Sequence, residues 1–250
     1  MNIALVPMSA KPYHLGHHKL IQLAEASHDV VLVFVSYSSR GVRKIKDPHD
    51  RRTIKAGARK IEVPKKGEIP IFGKDMQYIW ESFLLDGLDF SDKVRFITPT
   101  MGAHVSPIRN IHTVCESLLI PGMNLIPFLD KRMSTSELTV SIYSDSNDVI
   151  ANYSMKEMTR MYGELIGSQI LLVGIDRGST VDISGTKMRK LLSVGHLQEF
   201  QNFLPPVTKK AKNIIAKILS DSIASGCSFY CREQQKKTSK VYRGILITPG

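Results

Sequence analysis

Apolar residues in this chain fall into two rhythms that alternate along its length. Nearly unbroken apolar runs occur at "NIALVPM" (2–8), "DVVLVFVSYS" (29–38), "KVRFITP" (93–99), "LTVSIYS" (138–144) and "SQILLVGI" (168–175). Short runs rich in β-branched residues predict strands buried on both faces, as in parallel sheets. Between them, apolar residues recur at helical spacing. Leu15, Leu20, Leu23 and Ala24 share one predicted helix face after the first run. "MQYIWESFLLDGL" (76–88) predicts a helix ending near Gly87, with Trp80 in its apolar pattern. "SPIRNIHTVCESLL" (106–119) predicts another, with Ser106 as N-cap and Pro107 at its first position. "SMKEMTRMYGEL" (154–165) predicts a helix capped by Ser154, and "SGTKMRKLLSVG" (184–195) a short one closed by Gly195. An amphipathic helix is expected from Val207 to about Ser225, and a last strand-like piece at "KVYRGILIT" (240–248). The stretch from Arg40 to Gly73 reads as basic and turn-rich.

Strands alternating with helices imply βαβ units. The expected fold is α/β: a Rossmann-like open parallel sheet with helices on both faces. Ligands of such sheets bind at the carboxyl ends of the strands. "LPP" (204–206) is a natural hinge, since proline cannot continue a helix. It separates an expected main domain, 1–206, from a basic helical appendage, 207–250.

The chain has 250 residues, 42% of them hydrophobic, enough for a sizeable core. Neither a long apolar run nor a secretory leader is present, so the expectation is no membrane span and a cytoplasmic location. Three cysteines, Cys115, Cys227 and Cys231, make a poor disulfide framework and fit a reducing compartment. Cys227 and Cys231 resemble half a metal site, but no second pair follows. The net charge of +11 is uneven: residues 40–66 hold eleven Lys/Arg against three Asp/Glu, and 207–250 hold nine against two. Two basic segments on a slightly acidic body suit a polyanion, either a phosphorylated substrate or a nucleic acid.

The candidate chemistry centres on "KPYHLGHHKL" (11–20), where a strand hands over to a helix. His14 and His17 could share a helix face, yet no third or fourth ligand stands at zinc-site spacing nearby. Phosphate fits the setting better. A helix N-terminus offers unpaired N–H groups and partial positive charge, Gly16 lets an anion come close, and two imidazoles can donate to phosphate oxygens. Neither a P-loop nor a dinucleotide fingerprint occurs. His18, one residue off the pair, reads as structural.

"KPYHLGH" resembles the H-x-G-H signature of the nucleotidyltransferase superfamily that includes the nicotinamide-nucleotide adenylyltransferases and the cytidylyltransferases. A second stretch, "ISGTKMRKLL" (183–192), is similar to that family's distal I-S-x-T-x-x-R motif. Order, separation and strand-to-helix setting match for both. The chain also resembles nucleotidyltransferase-like proteins of large tailed bacteriophages, through "SPIR" (106–109), "YSDSND" (143–148) and "FQNFLP" (200–205). It departs from the family in "PMSAKP", where many members carry Gly or Arg-Gly-x-Phe, and it lacks the cytidylyltransferase R-T-x-G-I-S-T.

The resemblance implies transfer of the adenylyl group of ATP to a small phosphorylated acceptor, with nicotinamide mononucleotide the best single candidate, and release of pyrophosphate. His14 and His17 would stabilise the α-phosphorus centre, and Arg189 would neutralise the β- and γ-phosphates. Met8, Ser9, Lys11, Gly16, Ser184, Gly185, Thr186 and Lys187 would line the nucleotide. Mg²⁺ would arrive on the triphosphate and need no dedicated protein cage. Arg40, Arg43 and Arg109 are candidates for the acceptor phosphate, because guanidinium recognises phosphate in bidentate fashion. Asp145 and Asp148 could hold a ribose or a cation, but a turn is the simpler reading. Transfer from CTP is the alternative within the class. A nucleic-acid-binding protein using the basic segments is the alternative outside it. A homo-oligomer is compatible with either, and a viral chain would work in its host's cytoplasm.

Overall fold

In a computed structural model the chain is described at residues 1–120, 126–129, 138–176, 181 and 183–234. It forms two compact units: Met1–Tyr37 with Leu88–Gly185, and Ser38–Gly87 with the chain from Thr186 onward. Residues 186–206 thus belong with the segment that follows them. Among the described residues no helix is long and apolar enough to cross a membrane.

The first unit is built on five parallel strands: β1 (Asn2–Met8), β2 (Val30–Val35), β5 (Val94–Ile97), β6 (Thr139–Asp145) and β7 (Ile170–Ile175). Their order is β5-β2-β1-β6-β7. β1 pairs in parallel with β2 through Ile3↔Val30 to Met8↔Val35, and with β6 through Asn2↔Thr139 to Leu5↔Ile142. The order reverses direction between β1 and β6, the switch point where open α/β sheets form a ligand crevice.

The apolar runs become strands because both sheet faces are covered. Every residue of β2 is buried, and Ile3, Ala4, Leu5 and Val6 of β1 are wholly buried. Ile3, Leu5, Leu32, Phe34, Val140 and Ile142 point into a core shared with Ile111 and Val114 of helix α3 (Pro107–Ser117) and Met158 and Tyr162 of α5 (Met155–Tyr162). Each such side chain contributes about 1.5–3 kcal/mol by leaving water. Helix α1 (Leu15–Ser27) lies against β1, β2 and β6. Its buried row is His18, Ile21 and Ala24 rather than the expected Leu15, Leu20, Leu23 and Ala24. The i, i+3 row one residue round faces the strands, and the three leucines flank it half-buried.

Local signals mostly hold. Ser154 caps α5 by accepting from the Glu157 amide. Pro107 opens α3, but the Ser106 side chain makes no capping bond. The preceding loop is instead clamped by Asn110, whose amide accepts from His104 N at 2.8 Å and donates to His104 O at 2.9 Å. Asp145 is the N-cap of an unforeseen helix, α4 (Ser146–Asn152), and accepts from Asn147 N at 3.0 Å. That agrees with its turn reading. The side chain of Asp148 lies outside the described residues.

In the second unit the turn-rich reading of 40–73 gives way to an antiparallel ribbon, β3 (Val42–Lys46) with β4 (Lys60–Pro64), and helix α2 (Gly73–Ile79). Alternation of Ile45, Ile61 and Val63 is present but hidden among charges. The helix runs on as a π-turn at Trp80–Leu84, with Trp80 wholly buried. Gly87 ends it, where any Cβ would strike the Phe83 carbonyl. Helices α6 (Gly185–Ser193), α7 (Leu197–Asn202) and α8 (Lys209–Ser225) follow, with Gly195 left-handed at φ 80°. Helix α8 packs on α2 and α7 through Ala211, Ile215, Ile218 and Leu219. "KVYRGILIT" lies outside the described residues.

Candidate active site

The loop after β1 carries the first motif to the switch point. The Lys11–Pro12 peptide is cis. His14 adopts extended backbone as the N-cap of α1, and its Nδ1 accepts from Gly16 N at 3.2 Å. In a neutral ring that acceptor role leaves the proton on Nε2, so His14 can donate away from the helix. The His17 ring lies beside it, with centroids 3.9 Å apart. The two rings are inclined at 31° to each other, so two imidazoles meet at one helix N-terminus.

Gly16 has a structural reason of its own. A Cβ there would sit 3.1 Å from both Cε1 and Nδ1 of the His14 ring. Glycine lets the imidazole fold back onto the helix that it caps. The same Cβ position lies 3.5 Å from Ile183 Cγ2, so the first residue of the distal motif packs against the first motif inside the sheet unit.

Tyr13 is the partner that sequence reasoning left without a role. It is buried, its ring stacks on His17 at 5.7 Å and 12°, and its hydroxyl shares a 3.3 Å hydrogen bond with His18 Nδ1. Burial pushes the Tyr13 phenol well above its ordinary range. Burial also lowers the His18 pKa, with Glu25 and Asp89 pulling the other way. His18 packs on Phe90 as well, which makes it a structural prop. The signal was the aromatic immediately before the first His, and its meaning needed the i, i+4 stacking that only the helix supplies.

The remaining candidates fall in several places. Met8 is in the core, and its carbonyl accepts from Ser36 N. Ser9 is exposed and accepts from buried Lys11 Nζ at 3.1 Å. Ser184 and Gly185 are half-buried at the start of α6. Arg109 is exposed on α3 and pairs with Glu116 at 3.4 Å, along the helix. In the second unit, Thr186 and Lys187 are exposed, with Lys187 over the Phe203 ring at 5.2 Å. Arg189 is 8% exposed and donates to Thr186 Oγ1 at 3.0 Å. Burial lowers its pKa, Arg40 lowers it further, and Glu68 raises it. Arg40 and Arg189 therefore feel each other as like charges within one unit. Arg43 is exposed on β3.

The donor set of the sheet unit, imidazoles and backbone amides at a helix end, suits phosphate oxygens. Among the described residues no group of three or more His, Cys, Asp or Glu converges. A Mg²⁺ held mainly by triphosphate oxygens and water fits such surroundings, because it asks little of the protein. No family model matches this chain, and no curated protein matches it.

Proposed function

We propose that this protein is a nucleotidyltransferase that moves the adenylyl group of ATP onto a small phosphorylated acceptor, nicotinamide mononucleotide being the best single candidate, with release of pyrophosphate. The observation that carries the reading is the close His14–His17 pair, ring centroids 3.9 Å apart, at the N-terminus of α1 after the central strand β1.

The reaction is in-line attack by an acceptor phosphate oxygen on the α-phosphorus; the bond to the bridging oxygen breaks and pyrophosphate leaves with its electron pair. His14 Nε2 and the His17 ring donate to oxygens on which charge grows, which favours the transition state over the ground state. No covalent intermediate is needed, so positioning and electrostatics carry the rate. Arg189, which donates to Thr186 Oγ1, and Arg40 of the same unit are the candidates for recognising a leaving-group or acceptor phosphate. Mg²⁺ entering on the nucleotide would screen the triphosphate. The enzyme would work in the cytoplasm, that of the host if the chain is viral.

The test is pyrophosphate release from ATP and from CTP with a panel of phosphorylated acceptors. Release with ATP and one acceptor, lost on His17→Ala, is the expected result. Preference for CTP replaces the adenylyl reading with its cytidylyl alternative. Release by no combination, or release unaffected by His17→Ala, overturns the proposal.

A further inference from the structure

The β3–β4 ribbon carries a charge arrangement that the transfer reaction does not use. Cross-strand pairing places Lys46 directly opposite Lys60, and Lys44 opposite Glu62. Residues directly opposite on one face have Cβ atoms about 4.5–5.5 Å apart, and like charges there are destabilising. Two residues of strand separate Lys44 from Lys46 by roughly 6.8 Å. One face of the ribbon therefore carries three lysines, all exposed, with Glu62 as its fourth member.

The acids of this segment offset these lysines only in part, since Glu62 alone stands on their face, opposite Lys44. Glu62 accepts from the Ser39 hydroxyl at 2.6 Å. Asp47 accepts from His49 N and pairs with Arg59 at 3.5 Å. Asp50 takes the Arg52 guanidinium at 2.7 Å and the Arg59 amide at 2.6 Å. Those bonds, the Arg52 side chain first, hold the Asp50 carboxyl far below its usual range. The acids thus organise the loop at the end of the ribbon. Among the described residues, none lies within ion-pair distance of Arg43, Lys44, Lys46, Arg51, Lys55 or Lys60. The ribbon keeps a repulsive cation pair that a polyanion would relieve.

We propose that the β3–β4 ribbon is a docking surface for the phosphate backbone of duplex DNA. An antiparallel two-stranded ribbon fits the major groove of B-DNA, about 12 Å wide, whereas the A-form RNA major groove is deep and narrow. Contacts from Lys44, Lys46 and Lys60 would be to phosphates and independent of sequence. Lys44, Lys46 and Lys60 have no part in the proposed transfer chemistry, and either proposal can fail alone.

The experiment measures binding of the full chain to a 20-base-pair DNA duplex by fluorescence anisotropy across a salt series. The triple variant Lys44→Ala/Lys46→Ala/Lys60→Ala is expected to bind at least tenfold more weakly at low salt. Its log affinity against log salt should be shallower by about 2–3, the slope lost with three phosphate contacts. Its melting temperature should not fall, because opposed like charges are removed. A control, Lys209→Ala/Lys210→Ala/Lys217→Ala on α8, should keep wild-type affinity. The proposal is overturned if the wild-type chain does not bind the duplex, or if the control loses as much as the ribbon variant. It is equally overturned if duplex RNA or vesicles of anionic lipid bind more tightly than DNA.

Discussion

Asp75 and Arg189, two of the charged side chains buried in the unit formed by residues 38–87 and the chain from 186, have contrasting surroundings. Asp75 of α2 is 0% exposed. Its carboxylate accepts from the Ser222 hydroxyl at 2.6 Å, the Ser228 hydroxyl at 2.8 Å, Phe229 N at 3.1 Å and Tyr230 N at 2.9 Å. All those donors come from residues around 150 positions later. The carboxylate thus ties α2 to the end of α8 and caps the turn that follows. Arg189 is buried nearly as deeply but in a different balance: it donates to Thr186 Oγ1, Arg40 acts on it as a like charge and Glu68 as an opposite one. Burial of charge is common to both; only the surroundings separate a structural tie from a candidate anion site.

The largest expected effect tests the tie. Asp75→Ala takes the acceptor from two hydroxyls and the Tyr230 amide, leaves Phe229 N with the Ser222 oxygen, and should cost on the order of 4 kcal/mol in urea unfolding. Pyrophosphate release per folded molecule should persist. Loss of release with little loss of stability would reverse the two roles.

Arg189→Met asks the converse question. Release should fall about 10²-fold, the usual scale for removing one transition-state donor. The melting temperature should change little, since methionine keeps most of the buried side-chain volume. A variant that unfolds like Asp75→Ala while keeping its rate would make Arg189 another structural tie.

Gly16→Ala sharpens the site side of the comparison. The new Cβ presses the His14 ring out of its capping position, while alanine favours the helix. Stability should change by less than about 1 kcal/mol. Release should drop roughly tenfold if the His14 orientation contributes to transition-state stabilisation as proposed. An unchanged rate would show that the ring is free to move without cost to the chemistry.

The smallest effect concerns a buried group with a depressed pKa. His18 is held neutral by burial, so protonation favours the unfolded chain. Its contribution is present above the ordinary value of 6.5 and is lost as pH falls toward the lower folded value. Urea midpoints should therefore decline below neutral pH, and His18→Asn should flatten the decline. His112, depressed by burial as well, leaves a residual slope. An unaltered slope in His18→Asn would mean that His18 titrates normally.

The sheet was legible because its inner strands β1, β2 and β6 are buried on both sides, and a run such as "VVLVFV" has no other economical use. The ribbon was not, since Ile45, Ile61 and Val63 alternate among lysines and arginines that dominate any reading of composition. Nor was the buried face of α1 legible: His18 counts as polar in a periodicity, yet with Tyr13 as its hydrogen-bond partner it packs as core. The His14–Gly16–His17 motif could be read from its spacing, since capping and ring contact are local to one helical turn.

Sequence by itself determined the sheet strands, several of the helices and the local chemistry at their ends: α/β alternation, a His pair opening a helix, a serine or proline at the first turn. These rest on interactions within a few residues, whose geometry follows from backbone periods. Only the tertiary structure decided which strand lies at the centre, that Asp75 meets donors from the far end of the chain, and that Arg40 stands near Arg189. Those depend on which distant segments exclude water from one another, a property of the packed whole that no local pattern encodes.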